Sequence, residues 1–196
     1  MMKKIGVLAL QGGVDEHIHA LLSASENLGT PVRVVEVRLP EDMENLDGII
    51  LPGGESTALS KLMLRAGIFE KVQNIRKIMG TCAGAILLSK KVEGAIEGQR
   101  LLSLMDVSIS RNAYGSQLSS FEADITSVLG NFRGVFIRAP KILSFAKGVQ
   151  PMAFHGNDTV ALHQKQSDIS GERHFLALTF HPELTTTKFH EYFLKL

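Results

Sequence analysis

IMGTCAGAILLSKKV, residues 78–92, reads as strand, turn and helix in quick succession. The apolar Ile78-Met79 run meets Gly80, the turn carries Thr81 and Cys82, and an apolar helix follows Ala83. A strand that passes directly into a helix is the building unit of a parallel sheet, whose strands need crossover connections. Working outward, the unit recurs. KKIGVLAL reads as a buried strand ending at Gln11-Gly12-Gly13, followed by a helix over 15–28 with Asp15 near its start and Gly29 at its stop. VRVVEV, 32–37, is a second strand, and a third over 47–51 is stopped by Pro52-Gly53-Gly54. Helices are expected after Ser56, through TALSKLMLRAG, and over about 68–76. From about 106 the pattern changes to short strands separated by turns: MDVSIS, SSFEADI, FRGVFI, VQPMAF, TVALHQ and HFLALTF, with a closing helix in TTTKFHEYFLKL. The expectation is an α/β protein, one domain over 1–196, with a mostly parallel central sheet and a small antiparallel extension.

Composition narrows the function. Hydrophobic residues at 44% and charged residues at 21% belong to a folded chain that can bury a core without disulfides or a structural metal. A net charge of +1, no basic run, no tryptophan and two tyrosines argue against nucleic acid, which asks for phosphate-neutralising charge and stacking rings. No apolar stretch is long enough for a membrane helix, and the start, MMKKIGVLALQGG, is too short for a secretory signal. One cysteine cannot form an internal disulfide, so a cytoplasmic setting is expected.

That cysteine stands in Gly80-Thr81-Cys82-Ala83-Gly84. Gly-x-Cys-x-Gly between strand and helix has the form of a nucleophile elbow, where a sharp turn lifts the reactive side chain above the sheet. The amides that open the following helix, Ala83 first, favour a thiolate and can receive the charge of a tetrahedral intermediate. Cys82 as small buried filler is the alternative. Of seven histidines, His181 follows an apolar strand and is tied by Pro182 to Glu183. A strand end in a parallel sheet is where such folds place their sites. Glu183 orienting His181 and His181 activating Cys82 would complete an orienter–base–nucleophile set. Leu51-Pro52-Gly53-Gly54-Glu55-Ser56-Thr57 follows another strand; Gly53 and Gly54 can expose amides to an oxyanion or carboxylate, or Ser56 or Thr57 can simply cap the next helix. Arg111-Asn112 and Arg138 fall at later strand ends, where a guanidinium can clamp a carboxylate or form a surface ion pair. A substrate bearing both a carboxylate and a carbonyl with a leaving amine, such as free glutamine, would use all these parts. A cysteine peptidase of the same fold would have less need of the arginines. A non-catalytic flavodoxin-shaped scaffold would leave Cys82 and His181 apart. A flavin or nucleotide role is weaker, since Gly-x-Gly-x-x-Gly is absent after the first strand.

Six stretches together narrow the choice: IGVLALQGGVDEH (5–17), LPGGEST (51–57), GTCAGAILLSK (80–90), RNAYGSQLSSFE (111–122), FIRAP (136–140) and FHPEL (180–184). On these the chain resembles the class I (triad) glutamine amidotransferases, and among them the glutaminase subunits of pyridoxal 5'-phosphate synthases. The resemblance implies a three-layer α/β/α flavodoxin-like fold. It implies Cys82 as nucleophile, His181 as base and Glu183 as orienter. It implies glutamine binding by Gly53, Gly54, Glu55, Ser56, Arg111, Ile137 and Arg138, an oxyanion site at Gly54 and Ala83, and no cofactor or metal. It further implies that L-glutamine yields glutamate and ammonia, the ammonia passing to a separate (β/α)8-barrel synthase subunit in an assembly of twelve of each chain. Ser116, where many members have arginine, and the stretch 94–106 depart from the pattern; both bear on docking and leave the triad untouched.

Overall fold

Short apolar runs bounded by glycine or proline become strands in the computed structural model, which describes residues 2–111, 120–169 and 171–196. Residues 112–119 of the RNAYGSQLSSFE stretch, Ser116 included, lie outside them. Four parallel strands come first: β1 (Lys3–Leu8), β2 (Val32–Val37), β3 (Gly48–Leu51) and β4 (Lys77–Thr81). Between and after them lie α1 (Val14–Leu28), α2 (Ser56–Arg65), α3 (Phe69–Val72) and α4 (Ala83–Leu88). Gly29 ends α1 in the left-handed conformation at φ 59°.

The second half supplies β5 (Ser89–Glu93), β6 (Met105–Ser110), β7 (Ser120–Ser127), β8 (Phe132–Ile137), β9 (Lys141–Phe145), β10 (Val149–His155), β11 (Asp158–Asp168) and β12 (Gly171–Leu178), then α5 (Lys188–Lys195). Among the described residues the main sheet runs β2-β1-β3-β4-β12-β11-β10-β7-β8. It is parallel from β2 to β12 and antiparallel from β12 to β8. A second sheet, β5-β6-β9, packs beside it. No helix among the described residues is long and apolar enough to cross a membrane.

Because side chains alternate along a strand, neighbouring residues serve opposite cores. Ile49, Leu51 and Ile78 join Leu59, Met63, Phe69 and Leu87 on the side of α2, α3 and α4. Ile50 and Met79 join Leu21, Phe189 and Phe193 on the side of α1 and α5. This is the expected three-layer α/β/α arrangement.

Three local expectations change. The helix foreseen over 68–76 stops at Val72: the amides of Asn74 and Ile75 donate only three residues back, to Lys71 at 3.1 Å and Val72 at 3.0 Å, and Arg173 takes the freed carbonyls of Gln73 and Ile75. The helix after Cys82 stops at Leu88, where the Ser89 hydroxyl donates to the Ile86 carbonyl at 2.8 Å and the chain turns into β5. His155, which the Gly156-Asn157-Asp158 turn signal after it would draw into a turn, is instead the last residue of β10 and packs against Phe121 and Phe136. The strands β5 and β9 have no counterpart in the sequence reading.

Two histidines are wholly buried between α1 and α5. Burial, then the proximity of His190 and of His181, holds the His17 pKa well below its ordinary value, and burial holds His190 at about 3. Both are neutral when folded and charge when unfolded, so the unfolded state binds more protons below about pH 6.5. Stability therefore falls as the pH drops from about 6.5 toward 4. These two groups give a slope approaching two protons, about 2.7 kcal/mol per pH unit. Urea unfolding at steps of pH is expected to show that fall, and H190L is expected to lose about one proton of the slope.

Candidate active site

The parallel strands β1, β3 and β4 all end on one side of the sheet, and the loops that leave them converge. Cys82 follows β4 at φ 48° and ψ −102°, a conformation that non-glycine residues reach only at a cost of about 1–3 kcal/mol. Its amide donates to the Leu178 carbonyl of β12 at 2.8 Å, and its carbonyl accepts from the Ile86 amide of α4 at 3.2 Å. The flanking glycines are needed for close approach. A Cβ at position 84 would lie 2.1 Å from the Leu51 carbonyl oxygen of β3. The side chain of Cys82 is lifted to the floor of a cleft, 6% exposed, with Sγ 3.8 Å from the Ile137 carbonyl oxygen.

His181 comes three residues after β12 ends, and its amide donates to the Val135 carbonyl of β8 at 2.8 Å. Pro182 opens a single 3-10 turn over Pro182–Leu184 that brings Glu183 back under the imidazole. Nδ1 of His181 lies 2.7 Å from Oε1 of Glu183, whose side chain is 1% exposed. Nε2 is thereby left free on the side of Cys82 and makes no hydrogen bond to the described residues. Burial alone would lower the His181 pKa. Hydrogen bonding to Cys82 and Glu183, and the charge of both, outweigh it and raise it to about 10. The ring is thus an imidazolium at neutral pH, the form that can give a proton to a leaving group.

The cleft holds about 380 Å³ and is lined by Gly12, Gly13, Gly53, Gly54, Glu55, Ser56, Cys82, Ile86, Arg111, Ile137, Arg138 and His181. Every residue that the resemblance assigns to the site is there except Glu183, which stands behind His181, and Ala83, which supplies the first amide of α4 and is fully buried. A Cβ on Gly53 would sit 2.5 Å from Cε1 of His181, so only glycine leaves the ring its place. Gly54 turns at φ 129°. Arg138 has φ 45°, a second strained non-glycine residue at the rim.

The charged residues are engaged with one another. Glu55, rather than Ser56 or Thr57, caps α2: its carboxylate accepts from the amides of Thr57 at 2.9 Å and Ala58 at 2.6 Å. Glu55 loses some hydration on burial, but those two bonds, helped by Thr57 and Arg111, keep its pKa below the ordinary value. Arg111 reaches across to Glu55 at 2.8 Å, to Thr57 at 3.0 Å and to Gln99 at 2.9 Å.

Some neighbours escaped the sequence reading. Gln11 donates to the Glu55 carbonyl at 2.7 Å, joining the loop after β1 to the one after β3. Its signal was available: LALQGG ends its strand as LPGG and GTCAG end theirs. Gln99 bonds Ser56 at 3.1 Å as well as Arg111. No motif marks it. His17 of α1 lies 3.4 Å from the free oxygen of Glu183, and only the fold brings it there.

A cysteine in a strained strand–helix elbow, a histidine turned to it and a buried carboxylate behind define the class of Cys–His–Glu sites on a parallel α/β sheet. Residues 7–196 match the SNO glutamine amidotransferase family, and the chain belongs to it. It is 48% identical over 202 residues to the pyridoxal 5'-phosphate synthase subunit PdxT of Thermococcus onnurineus, covering 99% of this chain and 98% of that one. It is 45% identical to PdxT of Oenococcus oeni, covering 100% and 97%. A crystal structure of a glutamine amidotransferase superposes with a TM-score of 0.81 at 40% identity, over 97% of each chain. PurLQS from Thermotoga maritima, at 14% identity and a TM-score of 0.62, shares the fold.

The electrostatics give a direct test. The His181 ring proton, followed by NMR, is expected to titrate near pH 10 in the wild type. In C82A, where burial keeps its effect and one raising partner is gone, the midpoint is expected to fall clearly below that. An unchanged midpoint would mean that Cys82 and His181 do not share a proton.

Proposed function

We propose that this chain hydrolyses L-glutamine to glutamate and ammonia through a thioester on Cys82, and hands the ammonia to a separate pyridoxal 5'-phosphate synthase subunit. The observation that carries the reading is the 2.7 Å contact of Glu183 with His181 behind Cys82, in a cleft whose far end holds Arg111 and Glu55. The PdxT names of relatives covering nearly the whole chain supply the second subunit.

The chemistry follows from the groups. Sγ of Cys82 attacks the side-chain amide carbon, and the carbonyl electrons move onto oxygen. The amides of Gly54 and Ala83 take that charge; the first amides of a helix lack intrahelical acceptors and are free to donate. Imidazolium Nε2 of His181 gives its proton to the nitrogen, the C–N bond breaks, and ammonia leaves. The now neutral imidazole takes a proton from water, whose oxygen attacks the thioester; collapse releases glutamate and restores the thiolate–imidazolium pair. Glu183 keeps Nδ1 protonated throughout, so Nε2 remains the working nitrogen. At the other end Arg111 binds the α-carboxylate and Glu55 the α-ammonium. Gly53, Ser56, Ile137 and Arg138 shape the walls.

Ammonia set free in water would be lost to the synthase, so turnover gated by docking fits the chemistry. The partner is a (β/α)8 barrel, twelve copies of each chain form the assembly, and docking sets the Gly53-Gly54 turn in its donating geometry. A lone free cysteine fits a cytoplasmic enzyme.

Glutamate release from glutamine is the test, measured with and without the cognate synthase. Release is expected to rise with synthase and to vanish in C82A. Equal release without synthase removes the gating, and no release with a bound partner removes the glutaminase. R111M is expected to raise KM for glutamine by about tenfold to a hundredfold through loss of a charge-assisted bond, with kcat changed far less. A fall confined to kcat would move Arg111 out of the binding role.

A further inference from the structure

We propose that His17, itself held by His190, is a positioning residue for the site, turning its Nε2–H toward Thr81 and toward the oxygen of Glu183 that His181 leaves free. The proposal rests on the glutaminase reading above for its kinetic consequences, but not for its geometry.

Glu183 is buried and uses Oε1 for His181; Oε2 has no hydrogen-bond partner among the described residues, and Nε2 of His17 approaches it at 3.4 Å. A buried carboxylate oxygen without a donor is costly and free to swing. The same Nε2 lies 3.0 Å from the hydroxyl oxygen of Thr81, the residue before Cys82. His17 therefore touches both the strand that carries the nucleophile and the group that orients the base. On its other side Nδ1 lies 2.9 Å from Nε2 of His190.

Proton counting decides the direction of these bonds. Burial holds both rings neutral, so each carries one N–H. If His17 carried its proton on Nδ1, it would donate to His190. His190 would then need its own proton on Nδ1, which has no partner, and a buried orphan N–H is rarely tolerated. The lone pair on Nε2 of His17 would also face the Glu183 carboxylate. With the protons reversed, His190 donates to His17, and His17 donates to the Glu183–Thr81 side. Only an acceptor, Nδ1 of His190, then goes unpaired. The line reads His190, His17, Glu183, His181, Cys82: His190 donates to His17, and the Glu183 carboxylate stands between the N–H of His17 on one side and Nδ1–H of His181, which donates to it, on the other.

Two measurements test this. Long-range 15N–1H correlation on the histidine-labelled whole chain reads each ring's tautomer. Nε2–H at both His17 and His190 is expected, and Nδ1–H at His17 would overturn the proposal. Glutamine hydrolysis is then compared for H17Q, which keeps an N–H near the Nε2 position, and H17L, which has none. H17L is expected to lose about tenfold or more in kcat with KM nearly unchanged, and H17Q to recover most of it. Wild-type turnover in H17L, or equal loss in both variants, would overturn the proposal. If H17L does not fold, the tautomer in the wild type decides alone. A wild-type chain that releases no glutamate sinks the glutaminase reading, while the tautomer still decides the contact.

Discussion

The strained conformation of Cys82 is the constraint on which the arrangement depends. A side chain at φ 48° is stable only where its surroundings fix the backbone on both sides. Here the amide is tied to β12, the carbonyl to α4, and the glycines at 80 and 84 let α4 lie against β3 with no side chain between. That close packing has a consequence further out. It sets the elbow beside the loop after β3, where Gly53 in turn leaves room for the ring of His181. The base is fixed from the opposite direction, through its amide bond to Val135 of β8. β8 is last in the order of the sheet, so the antiparallel half curves back over the end of β12 and completes the cleft with Ile137 and Arg138.

The parallel half was legible in the sequence because its signals are local. Val32–Val37, and in the antiparallel half Phe132–Ile137, are bounded by residues that stop them, and the structure keeps those bounds. The elbow was legible for the same reason, since Gly80, Cys82 and Gly84 lie within one turn of chain. Most failures came where a distant group decides. The carbonyls just past the end of α3 are taken by Arg173, about a hundred residues away. A one-residue shift moved the cap of α2: the helix begins at Ser56 itself, so Glu55 before it takes the amides of Thr57 and Ala58. β5 and β9 are strands because they pair with β6, which no local pattern announces. His17 belongs to an amphipathic helix like any other, and its nearness to Glu183 exists only in the folded chain.

The two ends of the cleft are built on different principles. At the sheet end, Glu183 and His17 are cut off from water, and His181 nearly so. Changing any partner there leaves a buried polar group unmet, which makes the arrangement stiff. At the mouth, the Glu55 side chain is 53% exposed, and its ion pair with Arg111 is screened by solvent. Water already reaches the Glu55 side of the pair, so an incoming carboxylate can compete for Arg111, which is itself 11% exposed. Glu55 keeps its place when Arg111 turns away, since the amides of Thr57 and Ala58 still hold its carboxylate. On the proposed reading, the charges that would hold the head of the amino acid hold each other until it arrives. Recognition then asks only for an exchange of partners at the mouth, and the stiff end is not disturbed by it.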